Sequence, residues 1–219
     1  MIINSYRFGS ILQIQLIDSD ISAAADGANV TLNFTAAEDD VVIVFGGHRF
    51  RAGGSIGPTV GGWTAIATIV NSSLRHHGGV WYKRMTATPD TSVTCHGSSS
   101  SADAAGYGCY VLRGVHADVV DQTTTTAIAT GANPDPASIT TVTANAWVLT
   151  LVLNNLSDNV PSGAPSGYSN LIGAAAVDTN SWAVGASTFE KTTAGVENAG
   201  AFTWSSNQWY CFSVAIKPG

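Results

Sequence analysis

Charge is what this chain has least of. Lys and Arg together number 9 and Asp and Glu 15 in 219 residues, 11% of the sequence, for a net charge of -6. Binding to a phosphate backbone needs clustered Lys and Arg, so the composition argues against a nucleic-acid partner. The nearest approach to a basic patch is His48-Arg49-Phe50-Arg51, which reads as a solvated or partner-facing loop. Long apolar runs are also missing. None approaches the roughly 18 residues needed to cross a membrane, and Met1 to Arg7 shows no signal-like stretch. The expectation is a protein made in the cytoplasm, with no membrane partner. Cysteine is scarce and odd in number. Cys95, Cys109 and Cys211 sit in strand-like runs, which suits small buried thiols better than a disulfide frame. Helical periodicity is absent throughout, which removes the α and α/β classes.

What is present is strand. Hydrophobic residues make up 45% of the chain, enough for a sizeable core. Val30 to Thr35 alternates as a strand with one wet face should, whereas Val41 to Phe45 is continuously apolar and should be buried on both faces. Further strands are expected at 63–70, 79–85, 92–96, 106–113, 137–143, 146–153, 167–172, 181–189, 201–204 and 208–216. The fold class is therefore all-β, a β-sandwich or jelly roll with long Gly-rich loops, the longest from Gly46 to Gly62. Residues 28–219 read as a single domain, with 1–27 as an amino-terminal arm or a first strand, and Val119 to Pro136 as a crossover between two halves. Thr, Ser, Asn and Gly replace Lys and Glu over long stretches. Charge normally keeps surfaces and strand edges apart, so its scarcity points to an assembly, a homo-oligomer with a trimer as one arrangement.

Motifs that could carry chemistry do not survive their context. Gly53-Gly54-Ser55-Ile56-Gly57 matches the nucleophile elbow of serine hydrolases. That turn must run from a strand into a helix, and here Pro58 and strand-like sequence follow. His76-His77 cannot share one ion by adjacency, because neighbours on a strand point to opposite faces. Asp18, Asp20 and Glu38-Asp39-Asp40 lack the loop spacing of a calcium site. Glu190 and Glu197 could form a glycosidase-like carboxylate pair, but nothing in the sequence gives them a cleft. No catalytic residue, metal ligand or cofactor is assigned, and the chain is read as no enzyme. Of six tryptophans, Trp81, Trp147, Trp204 and Trp209 lie inside strand-like runs and are expected in the core. Trp63 and Trp182 open strands beside loops and are the candidates, with His48, Arg49 and Arg51, for contact with a partner or a host glycan.

Four stretches, Gly62 to Ile66, Val80 to Arg84, Gly108 to Val115 and Trp209 to Pro218, carry a resemblance to β-sandwich structural proteins of tailed-bacteriophage virions. The resemblance implies a virion component, either a capsid decoration (cement) protein or a tail-associated subunit. Its partners would be capsid or tail subunits, and its alternative role a carbohydrate- or receptor-binding module. Such proteins bind through edges and loops, so no catalytic residue carries over.

Overall fold

A computed structural model describes residues 13–49, 54–205 and 207–219. Among them there is no helix, and fourteen strands run β1 (Gln15–Ala24), β2 (Val30–Asn33), β3 (Val41–Arg49), β4 (Thr64–Asn71), β5 (His76–Arg84), β6 (Ser92–Cys95), β7 (Ala105–Arg113), β8 (Val115–Thr130), β9 (Ile139–Thr141), β10 (Ala146–Asn155), β11 (Ser169–Ala176), β12 (Trp182–Lys191), β13 (Gly195–Glu197) and β14 (Gln208–Pro218). They form two antiparallel five-stranded sheets, β1-β7-β3-β5-β4 and β11-β12-β10-β14-β8, and two small ribbons, β2-β6 and β9-β13. The all-β sandwich is what the sequence leads one to expect. Each large sheet, however, is drawn wholly from one half of the chain. The halves do not interleave between the sheets, as a wrapped jelly roll would require.

The strand order contains a repeat. Adding seven to each strand number of the first sheet turns β1-β7-β3-β5-β4 into β8-β14-β10-β12-β11, which is the second sheet, and turns the ribbon β2-β6 into β9-β13. The halves therefore share one seven-strand topology. Their stacking is also reciprocal. β3 lies over β10 at the centre, β1 lies over β11 and β4 over β8, so the two sheets are related by an approximate twofold axis of the kind that relates subunits of a symmetric dimer. The loops repeat as well. The β3–β4 connection lies back on β6, with a bridge between Pro58 and Cys95, and the β10–β11 connection lies back on the segment after β13, with a bridge between Gly163 and Thr203.

Period-two burial explains the layers. Val41, Ile43 and Phe45 of β3 point inward with Tyr110 and Leu112. They meet Trp147, Leu149, Leu151 and Leu153 of β10 and Tyr210, Phe212, Val214 and Ile216 of β14. Val42 and Val44, between them in sequence, point outward into a second layer closed by Val30 and Leu32 of β2 and Val93 and Cys95 of β6. Val41 to Phe45 is thus fully buried, as its unbroken apolar run predicts. Small residues let the layers close. At Gly78 a Cβ would come within 2.7 Å of Leu153, and at Gly106 it would crowd Trp182 and Val184 from the facing sheet.

Three sequence expectations are corrected. Residues 115–130 are the longest strand, β8, and not a crossover; the turn between halves is at Gly114, with φ +77. Gly46 and Gly47 belong to β3, so the Gly-rich loop begins later than expected. Residues 201–204 pack as a covering segment, and their likeness to a strand comes from buried Phe202 and Trp204. Gln15–Ala24 is an ordinary first strand paired with β7, while residues 1–12 lie outside the described residues.

Candidate functional site

The end of β3 and the start of β5 bring the histidines together. Antiparallel register sets His48 opposite His77 and Arg49 opposite His76. His48 is fully buried, with Nδ1 2.8 Å from the Arg49 carbonyl oxygen and Nε2 2.9 Å from that of Ser55. Its ring meets His77 edge to face, centroids 5.3 Å apart. Burial, followed by the charge of His48, pushes His77 down to about 4. His76 points the other way, as strand geometry demands. It enters the inter-sheet core beside Trp182, centroids 5.4 Å apart, with Tyr210 beyond. Burial lowers its pKa to about 4, although the carbonyl oxygens of Gln208, Leu153 and Leu74 favour the charged ring. No group of three His, Cys, Asp or Glu side chains among the described residues is arranged to hold a metal ion.

The expected contact residues therefore separate. Trp182 is completely buried in the core and cannot meet a partner or a sugar; its place beside an Asn-rich turn suggested exposure, but the facing sheet covers it. The buried ring of His48 serves the β3–β4 loop and is likewise withdrawn from any partner. Arg49 is half-buried, and Arg51 lies outside the described residues. Trp63 is half-buried against the outer layer, and its indole N–H is itself buried with no acceptor among the described residues, so at most part of the ring faces outward.

The serine-hydrolase pattern has a packing explanation. Gly57 (φ +77) lies where a Cβ would sit 2.6 Å from the Trp81 ring, its N–H donates to the Tyr107 hydroxyl, and its carbonyl accepts from the His96 N–H. The motif's glycine thus lets the loop lie flat on Trp81, and no helix follows Ser55. The remaining chemistry-bearing groups are also engaged. Asp18 and Asp20 of β1 accept the Thr35 and Asn33 N–H groups, both at 2.7 Å, which staples β2 to β1. Glu190 accepts from Gln13, and Glu197 pairs with Lys191 at 3.2 Å. Burial raises all three thiols, that of Cys109 to about 12, which suppresses the thiolate.

Sequence reasoning weighed Glu38-Asp39-Asp40 only as a calcium site and missed the arginines that meet them. Where β7 turns into β8, an open cleft of about 520 Å³ is lined by Glu38, Asp39, Asp40, Arg84, Arg113 and Val115. Arg113 grips the buried Asp40 carboxylate with two hydrogen bonds, 2.8 and 2.9 Å long. Burial raises the Asp40 pKa, but the Arg113 hydrogen bonds, the Ala37 N–H and the guanidinium charge outweigh it, so the carboxyl sits below its ordinary range. Arg84 donates to the carbonyls of Asp39, Val115 and His116, tying the first half to the start of the second. Both guanidiniums are thus committed to the protein: Arg113 locks Asp40 within the first half, and Arg84 clasps the first half to the second. The cluster's sequence signal is an ionic residue at the end of an apolar run, as with Asp40 before Val41 to Phe45 and Arg113 after Tyr110-Val111-Leu112.

The strand edges are different in kind. Among the described residues β4 pairs only with β5, and β8 only with β14. These two edges stack on the same side of the sandwich. Neither β4 nor the stretch from Gln122 to Thr130 in β8 contains an ionisable side chain, and Val70 and Ile128 stand 62% and 38% exposed. The chain matches no family model, no curated protein and no solved structure.

Proposed function

We propose that this chain is a structural subunit of a tailed-bacteriophage particle, a decoration protein that stabilises the capsid by surface contacts and acts as a homo-oligomer. The observation that carries the reading is the pair of stacked, uncharged strand edges. An exposed strand offers a row of unpaired N–H and C=O groups, and proteins that must stay apart blunt such rows with Lys, Pro or strong twisting. β4 and the Gln122–Thr130 stretch of β8 lack the charges and proline that would do so. The resemblance of residues 62–66, 80–84, 108–115 and 209–218 to virion β-sandwiches is what favours a particle as the setting. A clasped, fully packed sandwich suits a mechanical role, in which many weak contacts sum to a stable interface.

Fractionation of particles from the producing host tests this reading. The chain should band with intact particles and leave them on heating before the capsid opens. Recovery only in the soluble fraction would refute it, and recovery with isolated tails would move the chain to the tail. The partly buried Trp63 beside the 54–62 loop gives, as a second reading, a glycan contact in a tail or fibre. Glycan binding that disappears in Trp63→Ala would establish it.

A further inference from the structure

We infer that the lateral face formed by the edges of β4 and β8 is a twofold contact with a second copy of this chain, an inference that rests on the structural-subunit reading and names its first partner. Register marks the usable parts of the two edges. β4 pairs regularly with β5 from Ala67 to Asn71, after a bulge between Ala65 and Ala67, and β8 pairs regularly with β14 from Thr125 to Thr130. Both regular stretches end at the same end of the sandwich. Asn155 Nδ2 donates both to the Leu74 carbonyl, just beyond β4, and to Gln208 Oε1, and Gln208 lies opposite Thr130 at the end of β8. Each edge offers a seam of about 17 to 20 Å at the strand rise.

Charge selects the occupant. At a net charge of -6, two copies repel each other over most orientations. On this face the carboxylate nearest in sequence is Asp121, which is buried and accepts the Val142 and Thr143 N–H groups. Within the regular stretches 67–71 and 125–130 two copies can therefore meet without bringing like charges together, whereas a basic partner finds no carboxylate there, the exposed Asp118 lying seven residues before Thr125 on β8. Symmetry does the rest. A twofold axis across a strand edge always makes an antiparallel pair. Because β4 lies over β8, one axis can pair β4 with β4 and β8 with β8 of the second copy, extending both sheets from five to ten strands. The contact closes on itself, so it yields a discrete dimer in place of a fibre. Val70 and Ile128 supply the apolar rim of the seam.

The test uses the purified full chain. Sedimentation equilibrium should give twice the 22.6 kDa chain mass, and amide exchange at residues 67–71 and 125–130 should slow as protein concentration rises. The double variant Val70→Lys/Ile128→Lys places like charges along the seam and should weaken association at least about tenfold, with the thermal midpoint of the monomer unchanged. Should that variant unfold, Val70→Lys alone carries the same test on an exposed side chain. A wild-type chain that is monomeric at about 100 µM, above the range of a weak specific interface, overturns the proposal. So does an oligomer of odd order, or a dimer that the lysine variants leave intact. None of these outcomes depends on whether the protein occurs in a particle.

Discussion

Acidification from pH 7 to pH 4 should remove about 3 kcal/mol of stability through His76 alone. This ring leaves β5, crosses the inter-sheet core and stops beside Trp182 of the other half, fully buried. In the unfolded chain it titrates near 6.5, and in the folded protein burial holds it to about 4. Between those two values the unfolded chain binds a proton that the folded protein refuses, so stability falls as pH drops from 6.5 to 4, is flat above that window and levels off below it. About 2.5 pH units at about 1.4 kcal/mol each give the figure of about 3 kcal/mol, a substantial part of the 5 to 15 kcal/mol typical of a domain. With a guanidinium m-value of about 4 kcal/mol/M, the His76 part of the downward shift in the unfolding midpoint is about 0.7 M. Guanidinium titrations at half-unit pH steps measure it. His76→Gln retains a donor for the Gln208 carbonyl but does not titrate. Its midpoint should fall by about 0.7 M less than that of the wild type over the window, leaving the share due to His77, which burial likewise lowers to about 4. Equal slopes in the two proteins would refute the assignment.

A second acid transition belongs to Asp40. Its folded pKa is depressed, so its contribution is complete above the ordinary carboxylate value of 3.8 and is lost as pH falls further, through the folded value. Asp40→Asn should therefore flatten the stability profile below pH 4 and leave the His76 window untouched, as read by the same titrations. Cleaving the gene at Gly114 should give two fragments that co-purify one to one, because each carries one whole sheet with an apolar inner face that only the other covers; fragments that stay soluble and separate would contradict the twofold packing. A thiol reagent should label none of the three cysteines in native protein and all three in denaturant, since every thiol is buried. Labelling of one native cysteine would show that its layer opens.

Much of the fold was legible because strand patterning is local. The continuous run at 41–45, the alternation at 30–35, and the placement of Trp81, Trp147, Trp204 and Trp209 in the interior follow from residue type and period alone. β8 escaped because Thr123 to Thr126 and the polar Gln122 look like loop composition; Thr is a good strand residue, and only pairing with β14 reveals the strand. Trp182 and His48 were misjudged for a related reason. Proximity to loop sequence says nothing about which sheet will lie on top.

What the sequence by itself determined is the class and the economy of charge: an all-β chain with apolar runs for a two-faced core, three buried thiols and long stretches of surface without ions. These are one-dimensional properties, set by residue type and by a period of two. The tertiary structure alone decided that the strands form two copies of one seven-strand unit stacked about a twofold axis, that Arg84 clasps the halves while Arg113 locks Asp40 within the first, and that β4 and the uncharged Gln122–Thr130 stretch of β8 end up on the same side. Strand order and stacking depend on contacts between residues far apart in the chain, and no local pattern encodes which edge is left without a neighbour.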